Sequence, residues 1–366
     1  MTLVSSAHAQ NPQLQFLRQP DTIPAASAVF PFAIGDVTGD SVPDLLRLVV
    51  GNQVSIQPGL GNGRFGTASF LNTGNQPWAL ATGLISGDSY ADIVVANSAD
   101  QTVGLYLGQM GGGFSAPILS PIGIYPQNML MVDFDRNGRM DLVFTGYTGD
   151  AREGFLKTFR GQADGTFTQG TTYPTSPATL YTEANSVAAA DFNGDGWLDL
   201  VVTNPRTRRS LSVFLNNQAG GFTPLAEAML TGPPGQAITG DFNSDGMADV
   251  AFTAITGSDY GTTGAEIVIG VGLGNGDGTF AFSYVSATDS ITTFPQNIAA
   301  SDIDGDGDLD LAITPRSINT STNRLIIFRG DGTGGFTVGT QFAVDYLSNW
   351  VIPSDLNADG AVDLVV

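Results

Sequence analysis

Residues 302–310 read Asp-Ile-Asp-Gly-Asp-Gly-Asp-Leu-Asp, five carboxylates in nine positions. Two unit charges about 4 Å apart repel by roughly 1–4 kcal/mol between water-like and surface-like dielectric. A run this dense calls for a counter-charge, and its spacing suggests one. With Asp302 as position 1, side-chain oxygens at positions 1, 3 and 5, a backbone carbonyl at 7 and a carboxylate at 9 can wrap a hard divalent cation. Ca2+ accepts about six to eight such oxygens in loose geometry, whereas Mg2+ demands a strict octahedron. Gly305 and Gly307 allow the tight fold such a loop requires.

The frame recurs along the chain. Asp302, Asp304, Asp306, the Asp308 carbonyl and Asp310 fill it. So do Asp191, Asn193, Asp195, Trp197 (carbonyl) and Asp199; Asp241, Asn243, Asp245, Met247 (carbonyl) and Asp249; and Asp355, Asn357, Asp359, Ala361 (carbonyl) and Asp363. Asp133, Asp135, Asn137, Arg139 (carbonyl) and Asp141 keep it with Asn at position 5. Asp36, Thr38, Asp40 and Asp44 are a weaker version, with Ser41 in place of glycine. Leu84, Ser86, Asp88 and Asp92 are a degraded one, because Leu84 cannot ligate. Seven loops therefore begin at residues 36, 84, 133, 191, 241, 302 and 355. The expected ion complement is Ca2+ in five well-formed sites, with one weak site at 36–44 and one degenerate site at 84–92.

Composition agrees with storage of charge in cages. The net charge is -21, from 31 Asp and only 4 Glu, and 21 of the Asp occupy ligand positions. Bound Ca2+ would cancel much of this, so the acidity implies no basic partner, and the absence of a basic stripe argues against nucleic acid. There is no cysteine, and His8 is the only histidine, which excludes Cys/His zinc sites and leaves a Ser-His-Asp triad without a base. An EF-hand needs Glu at position 12 and flanking helices; here Val202 and Ile313 stand at that position. Gly61, Gly63 and Gly66 spell GxGxxG, but Phe65–Leu71 after them reads as a strand rather than the helix that motif requires. No apolar run reaches the roughly 20 residues of a transmembrane helix, so no membrane insertion is expected.

The elements that must hold these loops are strands. A short apolar segment precedes each loop, and an aliphatic run follows, such as Leu45–Val50, Leu200–Val202 or Leu311–Ile313. A third strand, such as Leu211–Leu215 or Arg324–Phe328, ends in a glycine turn closed by Phe: Phe65, Phe114, Phe167, Phe222, Phe280 and Phe336. A fourth strand leads to the next unit. Segments of four to six residues bounded by Gly, Asn and Pro have strand length. Four strands repeated about every 50 residues predict an all-β fold, a seven-bladed β-propeller of four-stranded antiparallel blades. The last unit stops after its second strand, so the last blade is either incomplete or closed by an N-terminal strand at Leu14–Leu17, with no clear third strand. Residues 1–13 read as a signal-peptide remnant or disordered tail, ending in the small-residue run Ser6–Gln10, and residues 14–366 as one domain.

The Asp loops and Gly-Phe turns resemble the FG-GAP or VCBS repeat family, the kind of repeat found in integrin α-chain propellers, over residues 14–366. The resemblance implies a β-propeller with Ca2+ held between the first two strands of a blade. The first and second loops depart from the pattern.

In a four-stranded meander the 1-2 and 3-4 turns share one face, so the cages and Gly-Phe turns occupy one face and the 2-3 loops the other. The 2-3 loops vary in length, and divergent loops on a rigid scaffold are where binding sites are built. They carry Tyr147, Arg152, Arg206, Arg208, Arg209, Tyr260 and Arg316. Gln76, Gln127, Asn185, Gln236, Gln296 and Asn349 would ring the channel mouth on that face, with Trp78 and Trp350 beside them. The expected function is a secreted or cell-surface calcium-binding module for protein or glycan adhesion. The alternatives are a calcium-dependent, lyase-like polysaccharide enzyme, for which Glu153, Glu183, Glu227 and Glu266 are the carboxylates outside the cages, and a structural spacer of a larger surface protein.

Overall fold

The computed structural model describes residues 2–5, 15–18, 31–148, 153–175, 184–205, 209–256, 266–290, 295–315, 323–344 and 350–366. The regular elements among them are all β-strands. The chain divides into two compact units, Asp21–Ala184 with Leu356–Ala358, and Met1–Pro20 with Asn185–Asp355 and Asp359–Val366.

The unit of Asp21–Ala184 holds three antiparallel four-stranded sheets, each running in chain order from first to fourth strand. Their first strands, Phe32–Gly35, Pro77–Gly83 and Tyr125–Val132, lie side by side. In the other unit the first strands Val187–Ala190, Pro234–Gly240, Pro295–Ser301 and Ile352–Ser354 are likewise neighbours. Each unit thus has the blade arrangement of a β-propeller, with first strands innermost. The reason is burial. Second strands such as Asp92–Asn97, Asp199–Asn204, Asp249–Ile255 and Asp310–Pro315 are buried along their whole length, so they read as continuous aliphatic runs rather than alternating ones. Gly270 sits opposite Phe252 in register, and its missing side chain makes room for that ring.

Two expectations change. Among the described residues six sheets have four strands, so the expected seven four-stranded blades become six. The sheet of the fourth loop has five, because its outer strand breaks after Pro224: Phe222–Pro224 pairs with Phe214–Asn216, and Ala228–Met229 pairs separately with Ser210–Leu211. In the sheet of the seventh loop, residues 2–5, read above as leader or tail, form the third strand. Thr2–Ser5 pairs with Asp363–Val365 on one side and with Gln15–Arg18, the fourth strand, on the other.

Four of the first strands share a further device. Their register shifts directly after Pro77, Pro126, Pro234 and Pro295. Proline has no N–H to give the ladder, and a bulge re-aims the residues that follow it.

Candidate metal centre

The loops lie between first and second strands, and each second strand begins with the position-9 aspartate: Asp44, Asp92, Asp141, Asp199, Asp249, Asp310 and Asp363. Within six loops the position-1 carboxylate folds the turn. Oδ1 of Asp36, Asp133, Asp191, Asp241, Asp302 and Asp355 accepts the amide of position 5 at 3.1–3.2 Å. Their Oδ2 accepts the amide of position 6 at 2.7–3.0 Å. The position-5 side chain then accepts the amide of position 7, as Asp195 does from Trp197 at 2.8 Å and Asp306 from Asp308 at 2.9 Å. Positions 4 and 6 are left-handed in these six loops, which is why glycine prevails there; Arg136, Ser244 and Ala358 adopt the same conformation at position 4, and Ser41 at position 6. The first loop therefore folds as the others do despite Ser41. In the second loop Leu84 offers no oxygen to these amides.

Position 9 is fully buried in six of the loops and nearly so at Asp363, and it is a clamp. Oδ2 of Asp44, Asp92, Asp141, Asp199, Asp249 and Asp310 accepts the position-2 amide at 2.8–3.1 Å. Oδ1 accepts an amide at the end of the third strand, from Gly59, Gly108, Gly161, Asn216, Gly274 or Gly330, at 2.7–3.0 Å. One carboxylate thus ties the loop to two strands. Burial, only partly offset by these amides, pushes Asp141 and Asp310 up to about 6, and raises Asp44, Asp199 and Asp249 as well. The spacing marks position 9 as a ligand only; the third-strand amides it holds lie 15 to 25 residues away and leave no local pattern.

Among the described residues, three carboxylates converge in the third and sixth loops. Ligand atoms of Asp133, Asp135 and Asp141 lie within 4.8 Å of one another, as do those of Asp302, Asp304 and Asp306. Asp304 Oδ1 is buried without a hydrogen-bond partner, an arrangement that costs free energy unless something else satisfies the oxygen. Clustered carboxylates around such an atom fit a hard cation. In the fourth and fifth loops the position-3 amide turns inward instead: Asn193 Nδ2 donates to Asp195 Oδ2 at 3.0 Å and Asn243 Nδ2 to Asp245 Oδ2 at 2.7 Å.

The expected partner residues divide. Arg152, Arg206, Arg208, Tyr260, Arg316, Gln296 (side chain) and Asn349 lie outside the described residues, and with them most of the variable 2-3 loops. Tyr147 stacks on Tyr125 with centroids 5.4 Å apart. Trp78 follows the bulge proline of its strand, and its Nε1 donates to the Gln127 carbonyl at 3.0 Å while 46% of the residue stays exposed. Trp350 and Arg209 are half-buried. Among the Glu, Glu227 and Glu266 accept from Ser210 and Ser286 of their own sheets; Glu183 lies outside the described residues.

The FG-GAP-like repeat matches five segments, residues 85–144, 146–202, 191–252, 241–313 and 302–366. Among solved structures, BBS1N in complex with ARL6DN, soaked with lead, is similar at 12% identity and TM-score 0.54, covering 94% of each chain. A triple Arg-to-Ala mutant of AofleA from Arthrobotrys oligospora is similar at 13% identity and TM-score 0.51, covering 86% of this chain and 88% of that one. At these identities the likeness is one of fold. With the repeat spanning most of its length, the chain belongs to the FG-GAP-like repeat family.

Proposed function

We propose that the protein is a calcium-stabilised binding module of the cell exterior, with the loops as structural ion sites and its partner on the opposite face. The observation that carries the calcium reading is the sixth loop: Asp302, Asp304 and Asp306 converge, and the buried Asp304 Oδ1 has no hydrogen-bond partner. Asp302, Asp304 and Asp306 would hold the ion with Asp310 behind them; the corresponding residues of the third, fourth, fifth and seventh loops would do the same. Millimolar extracellular calcium fills sites of modest affinity, which supports secretion or surface display.

The partner reading rests on Trp78. A hydrogen bond fixes its indole while nearly half of the residue remains open to solvent. A preorganised aromatic loses little entropy on binding, and Tyr125, Tyr147 and Gln127 stand in the neighbouring sheet. Such a surface suits a glycan or a protein loop. BBS1N, which is similar in fold, is seen in complex with ARL6DN. The test is a glycan and protein array probed with and without Ca2+, repeated with Trp78→Ala. Binding that depends on Ca2+ and is lost in the variant supports the reading. Binding indifferent to Trp78 moves the partner elsewhere, and no Ca2+ uptake in equilibrium dialysis removes the ion from it.

A further inference from the structure

Six loops have their third-strand neighbour among the described residues. The residue just before the amide that bonds position 9 sorts with the residue at position 3. Where position 3 is Asp135 or Asp304, that residue is Arg160 or Arg329. Where position 3 is Thr38, Ser86, Asn193 or Asn243, it is Pro58, Leu107, Leu215 or Leu273. Arg329 Nη1 stands 3.0 Å from Asp304 Oδ2, and Arg160 Nε stands 3.9 Å from Asp135 Oδ2. These are the same two loops in which three acidic side chains converge.

We propose that Arg160 and Arg329 are resident counter-cations of these two cages: each neutralises the position-3 carboxylate so that the loop keeps its shape without an ion, and each opposes a divalent cation that enters. The second half rests on the calcium reading above. In the Asn loops the inward amides of Asn193 and Asn243 already hold the position-5 carboxylate, and a neutral position 3 leaves no charge for an arginine to meet. The Arg329 side chain is 49% exposed, so the pair, screened by water, adds a small but measurable stability to the empty cage. Its weight falls on the difference between empty and filled cages. A unit charge and a divalent ion roughly 6 Å apart repel by about tenfold in affinity even at water-like dielectric, more than one orienting hydrogen bond at a half-exposed site returns. Arg329 is therefore a positioning residue that favours the empty cage.

The test uses the full chain with three variants: Arg329→Leu, Arg329→Lys, and Arg329→Leu combined with Asp304→Asn. The last recreates the Asn243–Leu273 pair of the fifth loop. Calcium titration calorimetry should show one site about tenfold tighter in Arg329→Leu, and its melting temperature in EGTA should fall. Arg329→Lys should stay near wild type in both readouts. The double variant should recover the wild-type melting temperature in EGTA, since charge and counter-charge leave together. Unchanged or weaker calcium binding in Arg329→Leu, or an unchanged EGTA melt, overturns the proposal. If the wild-type chain takes up no calcium at all, the calcium reading falls, and the counter-charge is decided by the EGTA melts alone.

Discussion

The amide of Gly278 donates a 3.0 Å hydrogen bond to the carbonyl of Phe192. Phe192 is position 2 of the fourth loop, and Gly278 lies in the Gly-Phe turn of the next sheet. The rings of Phe192 and Phe280 meet edge to face at 5.3 Å. The pattern repeats one sheet on, where Gly334 bonds the Phe242 carbonyl at 2.9 Å and Phe242 meets Phe336 at 5.7 Å. The two motifs of the repeat are therefore halves of one joint between successive sheets.

This joint is testable at Gly278. It is left-handed, and an added Cβ would stand 2.7 Å from Leu225 Cδ1. Gly305 is also left-handed but has nothing within 4 Å. Left-handed backbone costs an ordinary residue about 1–2 kcal/mol, so Gly305→Ala should lose about that much and Gly278→Ala distinctly more. Thermal melts of the two variants check this, and equal losses would show that the turn does not fasten the sheets.

Position 9 should behave as a clamp whether or not an ion is bound. Asp249→Ala strands the buried amides of Phe242 and Gly274, at about 1–3 kcal/mol each. Asp245→Ala removes two exposed loop contacts, from the Met247 amide and the Asn243 side chain. In EGTA, Asp249→Ala should melt far below wild type and Asp245→Ala close to it. A wild-type melt for Asp249→Ala would refute the clamp.

Calcium dependence should follow the quality of the loops. A site filled at 100 times its Kd adds about 2.7 kcal/mol to stability, so EGTA should lower the melting temperature by many degrees. With calcium present, Asp306→Ala should destabilise more than Asp88→Ala, whose loop begins with Leu84 and lacks the position-1 carboxylate. The reverse order would mean that the frame is misplaced.

Acidity should act in opposite directions on the two forms. Asp141 and Asp310 are raised to about 6 in the fold from an ordinary 3.8, so the fold binds more protons than the unfolded chain between those values. The resulting stabilisation is complete below about 3.8 and is lost as pH rises through about 6. Through these two groups, chelated protein should melt higher at pH 5 than at pH 7. Calcium-loaded protein should show the opposite trend, because an ion favours the carboxylates. Melting curves at the two pH values, with EGTA and with calcium, decide it; identical pH trends in both would refute the assignment.

Much of the fold could be read from local spacing. The five-oxygen frame of Asp302–Asp310, the aliphatic run Leu311–Ile313 after it and the Gly335–Phe336 turn each lie within a short window, and their repetition every 50 or so residues implies strands, blades and the placement of the loops. The place of Trp78 at the start of a first strand was also legible, because it sits at a fixed distance before a loop; the bulge after Pro77 and the bond from its indole to the Gln127 carbonyl were not.

What the sequence by itself determined is whatever neighbouring residues settle among themselves: the loop turns, where the position-1 carboxylate holds amides four and five residues on, and the strands of buried aliphatic side chains. Only the tertiary structure decided that Asp249 joins Phe242 to Gly274, that Arg329 meets Asp304, that Thr2–Ser5 pairs with Asp363–Val365, and that the outer strand after Pro224 splits in two. These pairings join segments distant along the chain. Backbone amides and long arginine side chains meet whatever the fold brings to them, and neither carries a mark in the sequence of which partner that will be.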